Sequence, residues 1–159
     1  MNIAGAAAVV TGAASGLGHA AAVALAARGC EVVGVDLPSA VESASPVTGI
    51  TYVAADVTAF DQVAEIFGNG PFGATPLRII VNCAGVAPSE RIVGRRGVHD
   101  LERFAQVVKI NLVGTFAVLA HGAAAMAQNE PDADGQRGVI INTASVAATD
   151  GQVGQAAYA

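Results

Sequence analysis

The segment Gly12-Ala13-Ala14-Ser15-Gly16-Leu17-Gly18 constrains this chain more than any other. It joins a short apolar run, Ala6 to Val10 followed by Thr11, to an Ala-rich stretch, Leu17 to Arg28, that stops at Gly29. The run reads as a strand, and the stretch as a helix with a glycine terminator. Three glycines between them call for a turn with little room for side chains. A strand delivered into a helix through so tight a turn is the opening unit of an α/β sheet.

The same alternation continues along the chain. A second strand is expected at Glu31 to Asp36 and a third at Ile50 to Ala55, ending at Asp56. A helix follows at Asp61 to Phe67, closed by Gly68-Asn69-Gly70, and a fourth strand at Leu77 to Asn82. A long helix, Leu101 to Gln128, runs through Asn111 and precedes a fifth strand at Gly138 to Asn142. These strands are near-continuous apolar runs, which marks parallel strands covered on both faces. The expected fold is a doubly wound parallel α/β sheet of the Rossmann type, one domain over residues 1–159. Pro38 to Gly49, Ala87 to Val98 and Asn129 to Arg137, rich in Pro, Gly, Ser or charge, are expected to be the least ordered stretches.

Composition narrows the partners. The net charge is −5 and the one lysine is Lys109, so the chain has no basic face for nucleic acid. Two cysteines, Cys30 and Cys83, do not make a disulfide framework, and a reducing, cytoplasmic setting is the simplest expectation. No Cys/His spacing suggests a metal. No apolar stretch of ~18 residues free of Gly or charge occurs, so no membrane span is expected. The apolar N-terminal run lacks the basic flank and cleavage signal of a signal peptide.

In this context the glycines point to a dinucleotide. Gly12 permits the tight turn, Gly16 lets backbone N–H groups approach a pyrophosphate, and Gly18 lets the helix press on the strand. The helix N-terminus favours phosphate charge. Asp36 ends the second strand, eighteen residues after Gly18. Its carboxylate suits the adenosine ribose hydroxyls and repels a 2′-phosphate, and no arginine adjoins it, since Leu37 and Pro38 follow. NAD is therefore expected over NADP. At the end of the third strand, Asp56 is placed to accept from the adenine amino group, and Val57 offers backbone polarity and an apolar side.

With these residues in place, the chain resembles the short-chain dehydrogenase/reductase superfamily, in its Gly-x-x-x-Gly-x-Gly branch. Within it the likeness is to the type-2 3-hydroxyacyl-CoA dehydrogenases, also called type-10 17β-hydroxysteroid dehydrogenases. Three stretches carry it: Gln128-Asn129-Glu130-Pro131, then Gly135 to Ala148, then Gly151 to Tyr158. The resemblance implies NAD contacts at Ser15, Leu17, Asp36, Asp56, Val57 and Cys83, with Cys83 in Asn82-Cys83-Ala84-Gly85 facing the cofactor through its main chain. It extends over all 159 residues but over only about three fifths of the family's domain. A lysine four residues beyond Tyr158, the helix carrying it, two further strands and a substrate lid belong to the rest.

The resemblance also assigns the chemistry. Tyr158 acts as general acid/base on an alcohol or ketone oxygen, Ser145 polarises that oxygen, and Asn111 holds a water of the proton relay. A mid-helix Asn is unfavourable and asks for such a reason. A free tyrosine has a pKa of about 10, so work near neutrality needs a cation beside the phenolate. Lys109, two residues before Asn111, does not match the family's lysine.

Gln152 and Gln155 are candidate substrate-pocket residues. Arg91, Arg95 and Arg96 form a basic cluster where the type-2 group carries an insertion, and CoA phosphates would suit it. The implied substrate is a small molecule, a 3-hydroxyacyl-CoA or hydroxysteroid, and the implied assembly is a homotetramer when complete. Because the chain ends at Ala159, the 159-residue polypeptide by itself is expected to be inactive. The competing reading is a truncated, catalytically silent nucleotide-binding fragment or scaffold.

Overall fold

The computed structural model describes residues 2–95 and 97–159, apart from the Asn69 side chain. Five parallel strands make the central sheet: β1 (Ala7–Thr11), β2 (Glu31–Asp36), β3 (Ile50–Ala54), β4 (Leu77–Asn82) and β7 (Val139–Asn142). They lie in the order β3-β2-β1-β4-β7, so the chain winds outward from β1 in one direction and then returns to wind in the other. This reversal beside β1 leaves a crevice outside the carboxyl ends of β1 and β4, where open α/β sheets bind ligands.

The apolar runs of β1, β2 and β4 are buried on both faces, whereas the outer strands β3 and β7 are partly exposed. One face is filled by Ala8, Val10, Val32, Ile79 and Val81 against Ala13 and Ala22 of the glycine turn and α1 (Gly16–Ala26). The other is filled by Val9, Val33, Val35 and Ile80 against Val63 and Ile66 of α3 (Phe60–Asn69) and Val118 and Met126 of α5 (Thr115–Met126). Small residues set the closeness of α5: a Cβ on Gly122 would collide with Ile80.

Several elements differ from the sequence reading. α1 ends at Ala26, not Arg28, and the left-handed Gly29 (φ 82°) turns the chain into β2. α3 runs through Gly68 and Asn69 to a cap at Gly70, because glycine lowers helix propensity without stopping a helix whose buried side is already anchored. Pro38 to Gly49, expected as a loop, contains a short helix α2 (Pro38–Ser43), which Pro38 starts at a position where its missing N–H costs nothing. Within Ala87 to Val98, β5 (Val93–Gly94) and β6 (Gly97–Val98) form a two-stranded antiparallel ribbon. Asn129 to Arg137 has no regular element but is hydrogen-bonded: Arg78 donates to the carbonyls of Glu130, Gln136 and Arg137, and Arg137 donates to those of Ala127 and Asn129 beyond the end of α5.

The long helix is not uniform. α4 (Leu101–Val108) passes into a π-helical turn (Lys109–Gly114) and then α5. Together Leu101–Met126 is long and apolar enough to cross a membrane, with a mean hydropathy of 1.5. Here Val107, Gly114, Val118, Gly122 and Met126 line up on the sheet side and are buried, the pattern of a helix that covers a sheet.

Candidate active site

The crevice holds a cleft of about 440 Å³. Its walls include Gly12, Ser15, Gly16, Leu17 and Gly18 from the glycine turn, Asp36 after β2, Asp56 and Val57 after β3, and Cys83, Ala84 and Gly85 after β4. Gly12 (φ 68°) and Gly16 (φ 53°) adopt left-handed backbone that other residues resist. A Cβ on Gly18 would collide with the Gly12 carbonyl, and one on Gly12 would lie 2.9 Å from the Ala84 nitrogen. The turn is therefore pressed between α1 and the end of β4. Ser15, at the N-cap of α1, makes no side-chain capping bond. The donors of the first helical turn are left for an anion.

Asp36 is held as well as placed. One carboxylate oxygen accepts from the Ala14 N–H and the other from the Leu37 N–H, both at 2.9 Å. A carboxylate has about four acceptor sites, so two remain for a diol. Asp56 uses one oxygen to accept from the Thr58 N–H at 2.8 Å, while its own N–H donates to Gln62 Oε1 at 2.9 Å. Val57 is buried and touches the place where a Cβ on Gly114 would sit, at 2.7 Å.

A buried polar clamp fixes the segment after β4. Thr11 Oγ1 accepts from the N–H groups of Cys83 and Ala84, each at 3.1 Å, and itself donates to Asn82 Oδ1 at 3.5 Å. Asn82 Nδ2 donates to Asn142 Oδ1 at 2.9 Å, so the ends of β1, β4 and β7 are tied in a row. Asn82 is buried, and its side chain serves this clamp. Cys83 Sγ accepts from Thr143 Oγ1 at 3.3 Å. Beyond it, the Asn111 amide bonds Val86 in both directions: Oδ1 accepts from the Val86 N–H at 2.9 Å and Nδ2 donates to the Val86 carbonyl at 2.8 Å. Asn111 thus sits in a π turn and not in a regular helix, a feature that recurs at functional sites.

Asn111, Ser145 and Tyr158 line a second hollow of about 480 Å³. It shares Leu17, Cys83, Ala84, Gly85 and Val86 with the first, so the two adjoin along one wall. Ser145 caps the short 3₁₀ turn Val146–Ala148, its hydroxyl accepting from the Ala147 N–H at 3.2 Å. The Tyr158 N–H donates to the Gln155 carbonyl at 2.9 Å. The structure does not bring the two glutamines to this hollow. Gln152 lines a separate, shallower one with Arg91, Ile92, Val93 and Val153. Gln155 bridges to Glu90 instead, and its Oε1 is buried without a hydrogen-bond partner. Arg91 and Arg95 are exposed, and Arg96 lies outside the described residues.

Sequence reasoning passed over several residues. Thr11 and Asn142 carry the clamp; one adjoins the glycine turn and the other lies in a family-like stretch, yet nothing local shows the bonds they make across the sheet. Val35, Leu37, Ala55, Val86, Gln106 and Ile110 also line the first cleft. Leu37 and Val86 adjoin recognised motifs and were within reach; Gln106 and Ile110 come from α4 and its π turn, whose position only the fold reveals.

Comparison with known proteins agrees with this geometry. The family model for short chain dehydrogenases matches residues 6–159, and the chain belongs to that family. The 3-hydroxyacyl-CoA dehydrogenase type-2 of Homo sapiens is 47% identical over 164 residues, covering 99% of this chain and 62% of the relative. That of Drosophila melanogaster is 46% identical over 155 residues, covering 94% and 61%. The crystal structure of 3-hydroxyacyl-CoA dehydrogenase type-2 from Mycobacterium avium superposes with a TM-score of 0.84 at 35% identity, covering 97% of this chain and 62% of that one. The chain thus spans about three fifths of the length of these relatives.

Proposed function

We propose that residues 1–159 are the NAD-binding part of an oxidoreductase that moves a hydride between nicotinamide and the oxygen-bearing carbon of a 3-hydroxyacyl-CoA. One observation carries this reading: the glycine-turn cleft, with Asp36 at its edge, adjoins the hollow of Asn111, Ser145 and Tyr158. The residues fit the cofactor, since the positive-φ glycines leave a backbone cradle and the first turn of α1 has free donors. NAD, when bound, supplies the hydride acceptor. The Tyr158 hydroxyl exchanges the proton with the substrate oxygen, and the Ser145 hydroxyl donates a hydrogen bond to it. Asn111 holds the segment at Val86 and is the residue assigned to hold a water of the proton relay. The acyl-CoA class comes from the relatives' names.

Tyr158 needs a cation to lower its pKa from about 10. The reading places that cation on a lysine four residues further on, so the polypeptide 1–159 by itself is expected to bind NAD weakly and without turnover. The outer side of the long helix presents Leu112 and Phe116, 65% and 63% exposed, and a second copy in a homotetramer is the cover we assign to it.

Calorimetry with NADH and NADPH tests the cofactor. The unmodified chain should prefer NADH, Asp36→Asn should lose most of the preference while keeping an acceptor for a backbone N–H, and Asp36→Ala should also weaken NADH. Tighter NADPH binding by the unmodified chain would overturn the assignment. Reduction of acetoacetyl-CoA by the polypeptide 1–159 would overturn the role given to the lysine.

A further inference from the structure

We infer that Glu90 is a positioning residue: it ties the segment that carries Tyr158 to the helix that walls the cofactor cleft. This rests on the role proposed for Tyr158. Glu90 lies in the loop after β4, beside the arginines considered for CoA phosphates but at a position to which the resemblance assigns no role, and it is bonded on three sides. Its N–H donates to the Gly154 carbonyl at 2.7 Å, and it forms a parallel bridge with Gln155. Its Oε1 accepts from the Asp100 N–H at 3.2 Å, at the start of α4. Its Oε2 has no solvent contact and lies 3.6 Å from the Arg103 guanidinium, one turn into α4.

These contacts form a chain of custody for the tyrosine. The Gln155 carbonyl accepts from the N–H groups of both Tyr158 and Ala159, at 2.9 and 2.8 Å. Gly154 (φ 87°) makes the turn before it, and a Cβ there would press on Ser89 Oγ, so the turn has a fixed seat against residues 89 and 90. On the other side, α4 leads to Gln106 and then Ile110, which line the cleft. At this corner Gly151, Gln152, Val153, Ile92 and Val93 are exposed, and among the described residues the His99 N–H also donates to the Ile92 carbonyl at 2.9 Å. A residue whose main chain holds one segment and whose side chain holds the other sets their relative position. The ion pair contributes little, because the Arg103 side chain is 48% exposed and screened. The hydrogen bond to the Asp100 N–H is the element that matters, and a neutral amide can make it too.

Hydrogen exchange read by mass spectrometry, with nitration of the two tyrosines, separates this role from mere support of a loop. Glu90→Ala should raise exchange about threefold or more in 97–104 and also in 151–159, while residues 16–26 exchange as before. Nitration of Tyr158 should quicken by a similar factor, with Tyr52 as the unchanged internal reference. Glu90→Gln should restore both segments. Should Glu90→Ala also expose residues 16–26, Glu90→Asp, too short to reach the Asp100 N–H, is the substitute and should loosen the same two segments. Loosening of 97–104 with 151–159 and Tyr158 unchanged would overturn the inference, as would failure of Glu90→Gln to restore Tyr158. NADH titration of the same variants is read separately: absence of binding in the unmodified chain counts against the proposed function and leaves the exchange result standing.

Discussion

The two ends of the crevice are built differently. At the nucleotide end, the backbone is fixed by contacts that allow almost no alternative: Gly12 and Gly18 have no space for a side chain, Thr11 satisfies two amides, and Asp36 two more. All of β1 is buried there. At the tyrosine end, Val139 and Ile141 of β7 are exposed, the Ser145 hydroxyl accepts from the Ala147 N–H of its own turn, and the approach to Tyr158 is seated on a loop. The first arrangement suits a ligand whose phosphates always occupy one place. The second leaves Ser145 and Tyr158 dependent on neighbours brought from elsewhere in the chain.

The strongest way to break the contrast is at the nucleotide end. Gly18→Val drives a side chain into the Gly12 carbonyl and the Thr11 carbonyl. Backbone cannot step aside as a side chain does, so a loss of about 3 kcal/mol or more in urea denaturation is expected, with loss of NADH binding. A variant with unchanged midpoint and affinity would mean that the turn is looser than its contacts require.

A middle-sized effect is expected from Thr11→Val, nearly the same in shape. It strips the acceptor from the Cys83 and Ala84 N–H groups and should cost about 2 kcal/mol. The same substitution at Thr143, whose hydroxyl donates to a thiol, should cost under about 0.5 kcal/mol, since the site is exposed. Equal losses at both positions would erase the distinction between the ends.

The smallest effect is a local response to acid on the open side. Asp100 and Asp132 both have carboxyls held below the usual range, chiefly by the Arg103 N–H and the Gln136 N–H respectively. Depressed acids contribute stability that is present above the unfolded value of about 3.9 and lost as pH falls through the folded values. The amide shifts of Arg103 and Gln136 should therefore titrate with midpoints under about 3.9. Midpoints at or above that value would contradict the capping geometry.

What could be seen in the sequence follows the same division. Gly12, Gly16, Gly18 and Asp36 were legible because their roles depend on the residues beside them and on one strand and one helix. The inner strands β1, β2 and β4 were legible because burial on both faces writes itself as a near-continuous apolar run, and the outer strands β3 and β7 keep such a run although they are partly exposed. The clamp was not, since Thr11 and Asn82 are 71 positions apart and Asn82 and Asn142 are 60 apart. The π turn was hidden too: Asn111 stands out as a polar residue on an apolar helix, but its partner, the Val86 backbone, is a feature of the fold. Gln152 and Gln155 looked like pocket residues from their closeness to Tyr158 in sequence, and the turn at Gly154 sends them elsewhere.

The placement of β1 at the centre of the sheet also has a meaning in time. Its neighbour β2 is made soon after it, but β4, on its other side, is encoded some 71 residues later. At synthesis rates of roughly 5–20 residues per second, the nascent β1 waits about 4–14 s with one flank unpaired. For that interval the most completely buried strand of the finished molecule is an open edge on the ribosome. The glycine turn and α1, complete before β2 emerges, give it a cover on one face during the wait.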